Sequence, residues 1–115
     1  MRISESSTRE PLLYQLHAAA CQTLANAKRL EILDRLRLGE RTVGELAEAM
    51  GVSQPNVSQH LALMRRTGIV IARREGLHVR YRVASPKILR ACALMREVLL
   101  EHLEAGAQVA EVLRR

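Results

Sequence analysis

Ser53, Gln54, Asn56, Ser58 and Gln59 crowd hydrogen-bonding side chains onto one short stretch whose alternate positions, Val57, Leu61 and Met64, are apolar. At helical spacing the apolar three turn toward a core, and the polar set lies on or beside the exposed face. A carboxamide can bond adenine N6 and N7 in pairs, and a serine hydroxyl reaches a base edge or a phosphate. The chemistry this stretch offers is therefore readout of a DNA major groove. His60 falls nearer the core side and reads as a structural hydrogen-bonding histidine. A second set, His17 and Cys21 spaced i, i+4 with Cys92 far along the chain, offers thiol or soft-metal chemistry.

The elements around the polar stretch fit that purpose. Thr42 and Glu45 form a capping box ahead of Val43, Leu46, Ala47 and Met50 at helical spacing. Gly51 can take the left-handed conformation that ends this helix. Ser53 caps the next one, Pro55 sits in its first turn, and Val52 with Val57 has the spacing of a hydrophobic staple. Two capped helices joined by a tight turn predict a helix-turn-helix over Thr42–Gly68, its second helix lying in the major groove.

Upstream, Pro11 opens a helical pattern through Leu13, Leu16, Ala20 and Leu24. A second helix carries Leu30, Leu33, Leu36 and Leu38, with Gly39 ending it. Downstream the period changes to that of strands. Ile69–Ala72 is β-branched and Glu75-Gly76 is turn chemistry. His78–Val83 alternates, which predicts a hairpin with Val79, Tyr81 and Val83 inward and His78, Arg80 and Arg82 outward. Ser85-Pro86 caps a long last helix with an apolar stripe of Ile88, Cys92, Met95, Leu99 and Leu103.

The expected fold is mainly α with a β-hairpin wing, a winged helix-turn-helix. Residues 1–10 are read as a flexible end, 11–106 as the domain, and 107–115 as a tail or helix extension. Arg73, Arg74, His78 and Arg80 would decorate the wing and meet phosphates or the minor groove. The last helix carries more apolar surface than so small a core can cover. A homodimer through the first and last helices is expected, since such proteins read two half-sites.

Composition bounds these readings. The 115 residues suffice for one domain, and 48% hydrophobic with 26% charged residues is a folded chain. The net charge is +6, and every cation but Lys28 and Lys87 is Arg. That suits a polyanion, because each neutralised phosphate releases counterions. A genome rich in Arg codons gives the same composition, so charge supports the reading without establishing it. No apolar run approaches the ~20 residues of a membrane span, and MRISESSTRE lacks the apolar core of a signal peptide. A cytoplasmic protein with free thiols is expected. No Ser/His/Asp set, Gly-rich phosphate loop or paired-carboxylate signature points to an enzyme.

Leu24–Leu33 (LANAKRLEIL), Thr42–Val70 with its V-S-Q-H-L block, and the hairpin to Tyr81-Arg82-Val83 resemble the ArsR/SmtB family. The likeness spans about Leu24 to Leu103. It implies a dimeric winged-helix repressor that binds double-stranded operator DNA and leaves it when an inducer arrives. The inducer in such proteins is a metal or metalloid ion, thiol oxidation or reactive sulfur.

The family's sensing residues do not carry over. Its Cys-x-Cys site on the third helix meets Glu45-Leu46-Ala47-Glu48-Ala49-Met50, which has no thiolate. Its site on the last helices meets only His102 with Glu101 and Glu104. Asp34 stands where sulfur-sensing members carry a Cys. What remains is Cys21, Cys92 and His17. Close together at a dimer interface, two thiols could form a disulfide or polysulfide bridge, given Cα atoms within roughly 7 Å. With His17 they could hold arsenite or another soft metal or metalloid ion. A constitutive DNA-binding protein with no inducer is the other reading.

Overall fold

Asn26 stands at the break between the first two helices, where the sequence pattern also divides them. Its Oδ1 accepts from the backbone N–H of Lys28 (2.9 Å) and Arg29 (3.1 Å), capping the second of them. The computed structural model describes residues 5–115. In order these are α1 (Glu5–Leu24), α2 (Ala27–Leu36), β1 (Arg41–Thr42), α3 (Val43–Met50), α4 (Gln54–Arg66), β2 (Val70–Glu75) and β3 (His78–Val83). Then come α5 (Pro86–Leu103), a 3₁₀ turn (Glu104–Gly106) and α6 (Gln108–Arg114). The chain divides into two units between Ala84 and Ser85.

In the first unit α2, α3, α4 and the sheet close around an aliphatic core. Ile32, Leu33 and Leu36 come from α2, Leu46 and Ala47 from α3, and Val57, Leu61 and Met64 from α4. Ile69 and Val70 complete it at the start of β2. With no Phe or Trp in the chain, shape-matched branched side chains supply the packing, each contributing about 1.5–3 kcal/mol when fully buried. The sheet is antiparallel in the order β1–β3–β2. Its register pairs Val70 with Val83, Ala72 with Tyr81 and Arg73 with Arg80. The hairpin turns at Gly76-Leu77, where Gly76 has φ 60° in the first central position, as a type II′ turn demands.

The structure departs from the expected elements at identifiable places. α1 starts six residues before Pro11, which lies inside it and supplies no N–H to the carbonyl four residues back. Of the segment 1–10, residues 5–10 are thus helical and 1–4 lie outside the described residues. α2 closes at Leu36 and does not run on to Gly39. Its end tightens through Arg37 N–Asp34 O and Gly39 N–Leu36 O bonds, both 3.2 Å. Leu38 therefore leaves the apolar stripe and is 76% exposed, while Ile32 takes a core position. β1 was not expected: Thr42 both caps α3 and pairs with Arg80.

The second unit is held locally. Ser85 Oγ accepts from Lys87 N (3.2 Å), with Pro86 in the first turn of α5. The expected stripe of α5 is split. Ile88, Cys92 and Leu103 are half-buried, whereas Met95 and Leu99 join Leu94 and Val98 on an exposed apolar strip. Most of residues 107–115 form a separate short helix, α6 (Gln108–Arg114), with Arg114 contacting Glu104 of the 3₁₀ turn.

Candidate nucleic-acid interface

The helix pair α3–α4 is fixed at both ends of its turn. Glu45 N donates to Thr42 Oγ1 (3.1 Å) and Thr42 N donates to Glu45 Oε1 (2.8 Å), closing the capping box. Gly51 ends α3 with φ 66°, where an L side chain would be strained. Ser53 Oγ then accepts from Asn56 N at 3.2 Å. Val57, Leu61 and Met64 have no exposure at all, which pins one face of α4 to the core. The opposite face necessarily presents Gln54, Asn56, Ser58, Gln59 and Ala62 to solvent, and all five are exposed, as is Ser53. A methyl group at Gly44 would lie 3.6 Å from Gln54 Nε2, so the Gln54 amide rests over the start of α3.

A polar bracket behind α4 sets its rotation. Arg29 of α2 donates to the carbonyls of Thr23 and Gln22 at the end of α1, and its Nη1 lies 3.3 Å from His60 Nδ1. A guanidinium cannot accept, so His60 Nδ1 is the acceptor and the neutral ring carries its proton on Nε2. Burial, and then the charges of Arg29 and Lys28, hold the imidazole below its ordinary value near 6.5. The end of α4 is tied as well. Thr67 donates to Leu63 O (3.0 Å) and accepts from buried Thr23 at 3.1 Å. Arg29 carries no sign in the hydrophobic pattern, and only contacts between helices distant in sequence reveal its role.

The wing shows a second arrangement that periodicity could not disclose. Arg73 and Arg80 face each other across β2 and β3, a like-charge pair that by itself destabilises a sheet. Three carboxylates offset it. Arg73 grips Glu40 with Nε (3.1 Å) and Nη2 (2.6 Å), and donates to Glu75 at 2.8 Å. Arg80 lies 3.6 Å from Glu75 and 3.7 Å from Glu45. Glu40 is held below the usual carboxylate range, chiefly by its hydrogen bond to Arg73, and Arg73 is held more firmly protonated in turn. Arg80, expected to point outward, is therefore half-buried beneath carboxylates. Arg74, His78 and Arg82 are exposed, and among the described residues none has a carboxylate within 4 Å.

Cys21 is exposed on α1, as is His17 one turn before it, and Cys92 is half-buried on α5; both cysteines are free. Among the described residues no three His, Cys, Asp or Glu side chains gather as a metal site would require. Nor is any described helix long and apolar enough to cross a membrane.

Capped helix pair, polar outer face and three-stranded wing together define a winged helix-turn-helix of the DNA-binding type. The chain belongs to the arsR family of bacterial regulatory proteins, whose pattern matches residues 26–72. It is 42% identical over 106 residues to Rv0081 of Mycobacterium tuberculosis, an uncharacterised HTH-type transcriptional regulator, covering 91% of this chain and 92% of that one. The homodimeric winged helix-turn-helix DNA-binding domain of Mb0332 from Mycobacterium bovis superposes with a TM-score of 0.80 at 39% identity. That match covers 90% of this chain and 95% of the other. A probable mercury resistance operon repressor of Streptomyces lividans is 41% identical over 75 residues, 65% of this chain and 60% of its own. The family and these relatives are transcriptional regulators, not enzymes.

Two expectations follow. Gln59→Ala should reduce discrimination between a selected duplex and random DNA by about 1–3 kcal/mol, whereas Arg74→Ala should weaken both alike and lower the salt slope by about one. Fluorescence anisotropy titrations over a salt series check this, and unchanged discrimination in Gln59→Ala would displace the recognition face. The second concerns pH. Because the native His60 takes up its proton at lower pH than the unfolded one, stability should be level above about pH 7. It should fall as pH drops below ~6.5, until the native ring itself protonates. Urea midpoints at pH 7.5 and 5 should show the loss in wild type and a smaller one in His60→Asn.

Proposed function

We propose that this protein is a homodimeric transcriptional repressor. It holds operator DNA through Ser53, Gln54, Asn56, Ser58 and Gln59 of α4 and through Arg73, Arg74, His78 and Arg80 of the wing. Modification of its thiols, Cys21 and Cys92, releases it. The observation that carries the DNA-binding reading is the division of α4 into a face with no exposure and a face that is entirely polar or small. Within the wing, Arg74 and His78 stand ready for phosphates, while Arg73 and Arg80 must exchange a carboxylate for a phosphate to take part. A net charge of +6 favours the encounter with DNA.

Assembly as a homodimer is supported by the homodimeric M. bovis domain and by the apolar residues that α1 and α5 expose. These are Leu12, Leu13 and Leu16 on α1, and Leu94, Met95, Val98 and Leu99 on α5. Leu99→Glu should place an unpaired charge in an apolar interface. The variant should sediment as a monomer and lose operator binding, whereas a wild-type protein that is monomeric at micromolar concentration would contradict the assembly.

For the signal, Cys21 is the accessible thiol, and oxidation or sulfane-sulfur transfer to it adds bulk and polarity on a helix proposed to lie at the interface. A soft metal or metalloid ion bound by thiolate with His17 is the second reading, favoured by the likeness to a mercury resistance repressor. Operator binding with oxidant, sulfane-sulfur donor and arsenite, each with and without a thiol alkylator, separates them. Oxidant should release DNA, reductant should restore it, and Cys21→Ser or Cys92→Ser should stay bound. A double Ser variant that still responds to the same reagents would remove the thiols from the mechanism.

A further inference from the structure

At the tip of the wing Leu77 is 96% exposed, the most exposed of the chain's large apolar residues among those described. It occupies the second central position of a two-residue turn whose other member, Gly76, takes φ 60°. Leucine has no local reason to be there. It packs on nothing, and turn positions favour small polar residues. Exposed Arg74 and His78 lie three residues before it and directly after it, and exposed Arg82 stands nearer the base of the same hairpin, opposite Ile71. The acidic residue nearest it, Glu75, is engaged by both Arg73 (2.8 Å) and Arg80 (3.6 Å), so its charge is paired within the wing.

We propose that Leu77 is a wedge that enters the minor groove of operator DNA beside the groove occupied by α4. The inference rests on the DNA-binding reading and extends it to a residue that hydrogen-bonding chemistry would pass over. Reach supports it. β2 leaves the end of α4 through Gly68, with Ile69 N bonded to Met64 O at 2.8 Å, and the hairpin arms are six residues each. At ~3.3 Å per residue the arms can carry the tip roughly 20 Å from the C-terminal end of α4, the end opposite the reading residues Ser53–Gln59. Half a helical turn of B-DNA, the step from a major groove to the facing minor groove, is ~17 Å. An apolar side chain at the tip of such a hairpin, with Arg74 close behind it, has the form of minor-groove wedges that press on sugars and base steps while cations meet the phosphates.

The proposal separates Leu77 from the wing arginines by salt dependence, since an uncharged wedge releases no counterions. The probe is a duplex selected by the wild-type protein from random sequence. Leu77→Ala should lose on the order of tenfold in affinity for it, as burial of one leucine side chain permits. The salt slope, thermal stability and dimer state should stay unchanged. Hydroxyl-radical footprints should lose minor-groove protection about half a turn outside the region covered by α4. Leu77→Met, long and apolar, should retain most of the affinity, and Leu77→Ser should not. Unchanged affinity and footprint in Leu77→Ala, beside the expected loss in Gln59→Ala, overturn the wedge and leave the DNA-binding reading standing. Loss of dimerisation in Leu77→Ala also overturns it, because the leucine would then be a protein contact. If neither Leu77→Ala nor Gln59→Ala changes binding, the reading of the whole surface fails with it.

Discussion

The burial of Val57, Leu61 and Met64 is the constraint on which the rest of the first unit depends. These side chains lie three and four residues apart on one stripe of α4 and meet α2, α3 and β2 in a core without a single Phe or Trp. Val57 is stiff at its branched Cβ, and a close-packed interior leaves Leu61 and the more flexible Met64 little freedom as well. Rotation of α4 by even a fraction of a turn would carry one of the three into water and bring Ser58 or Gln59 toward the core. Burial on one side therefore fixes which side chains are offered on the other.

Polar contacts refine what burial decides. The Arg29–His60 contact and the Thr23–Thr67 pair tie α4 to α1 and α2 at two points along its length. In the wing, Glu40 and Glu45 connect β2 and β3 back to the approach of α3 through Arg73 and Arg80. Exposed ion pairs contribute only about 0–1 kcal/mol each, so their consequence lies in orientation more than in stability. They hold an arginine-rich hairpin at a set angle to the helix pair, and leave Arg74 and Arg82 as its unpaired cations among the described residues, with His78 exposed beside them.

How much of this could be read from the residues follows from the range of the interactions. The α3–α4 pair was legible in detail, since capping box, left-handed Gly51, Ser53 cap and apolar stripe are all encoded within four residues. The exposed set on α4 followed from the same periodicity. The two-residue β1 was not legible, because its partner Tyr81 lies forty positions away and Thr42 already reads as a cap. Leu38 was misplaced because a tightened helix end shifts the period, and only backbone bonds reveal the tightening. The partners of Arg73 and Arg80 were hidden for the same reason as β1: Glu40 is 33 residues from Arg73. Alternation alone calls Arg80 outward, and the carboxylates that half-bury it come from other elements.

The central claim is that the polar face of α4 reads base edges in the major groove, with Gln59 among the readers. Substituting 7-deazaadenine for adenine, one position at a time in a selected duplex, removes a single acceptor and leaves pairing intact. A carboxamide contact predicts that one or two positions per half-site weaken binding of the wild-type protein, and that the same substitution has little further effect on Gln59→Ala. Weakening of equal size in both proteins at every position, or in neither, would contradict the account.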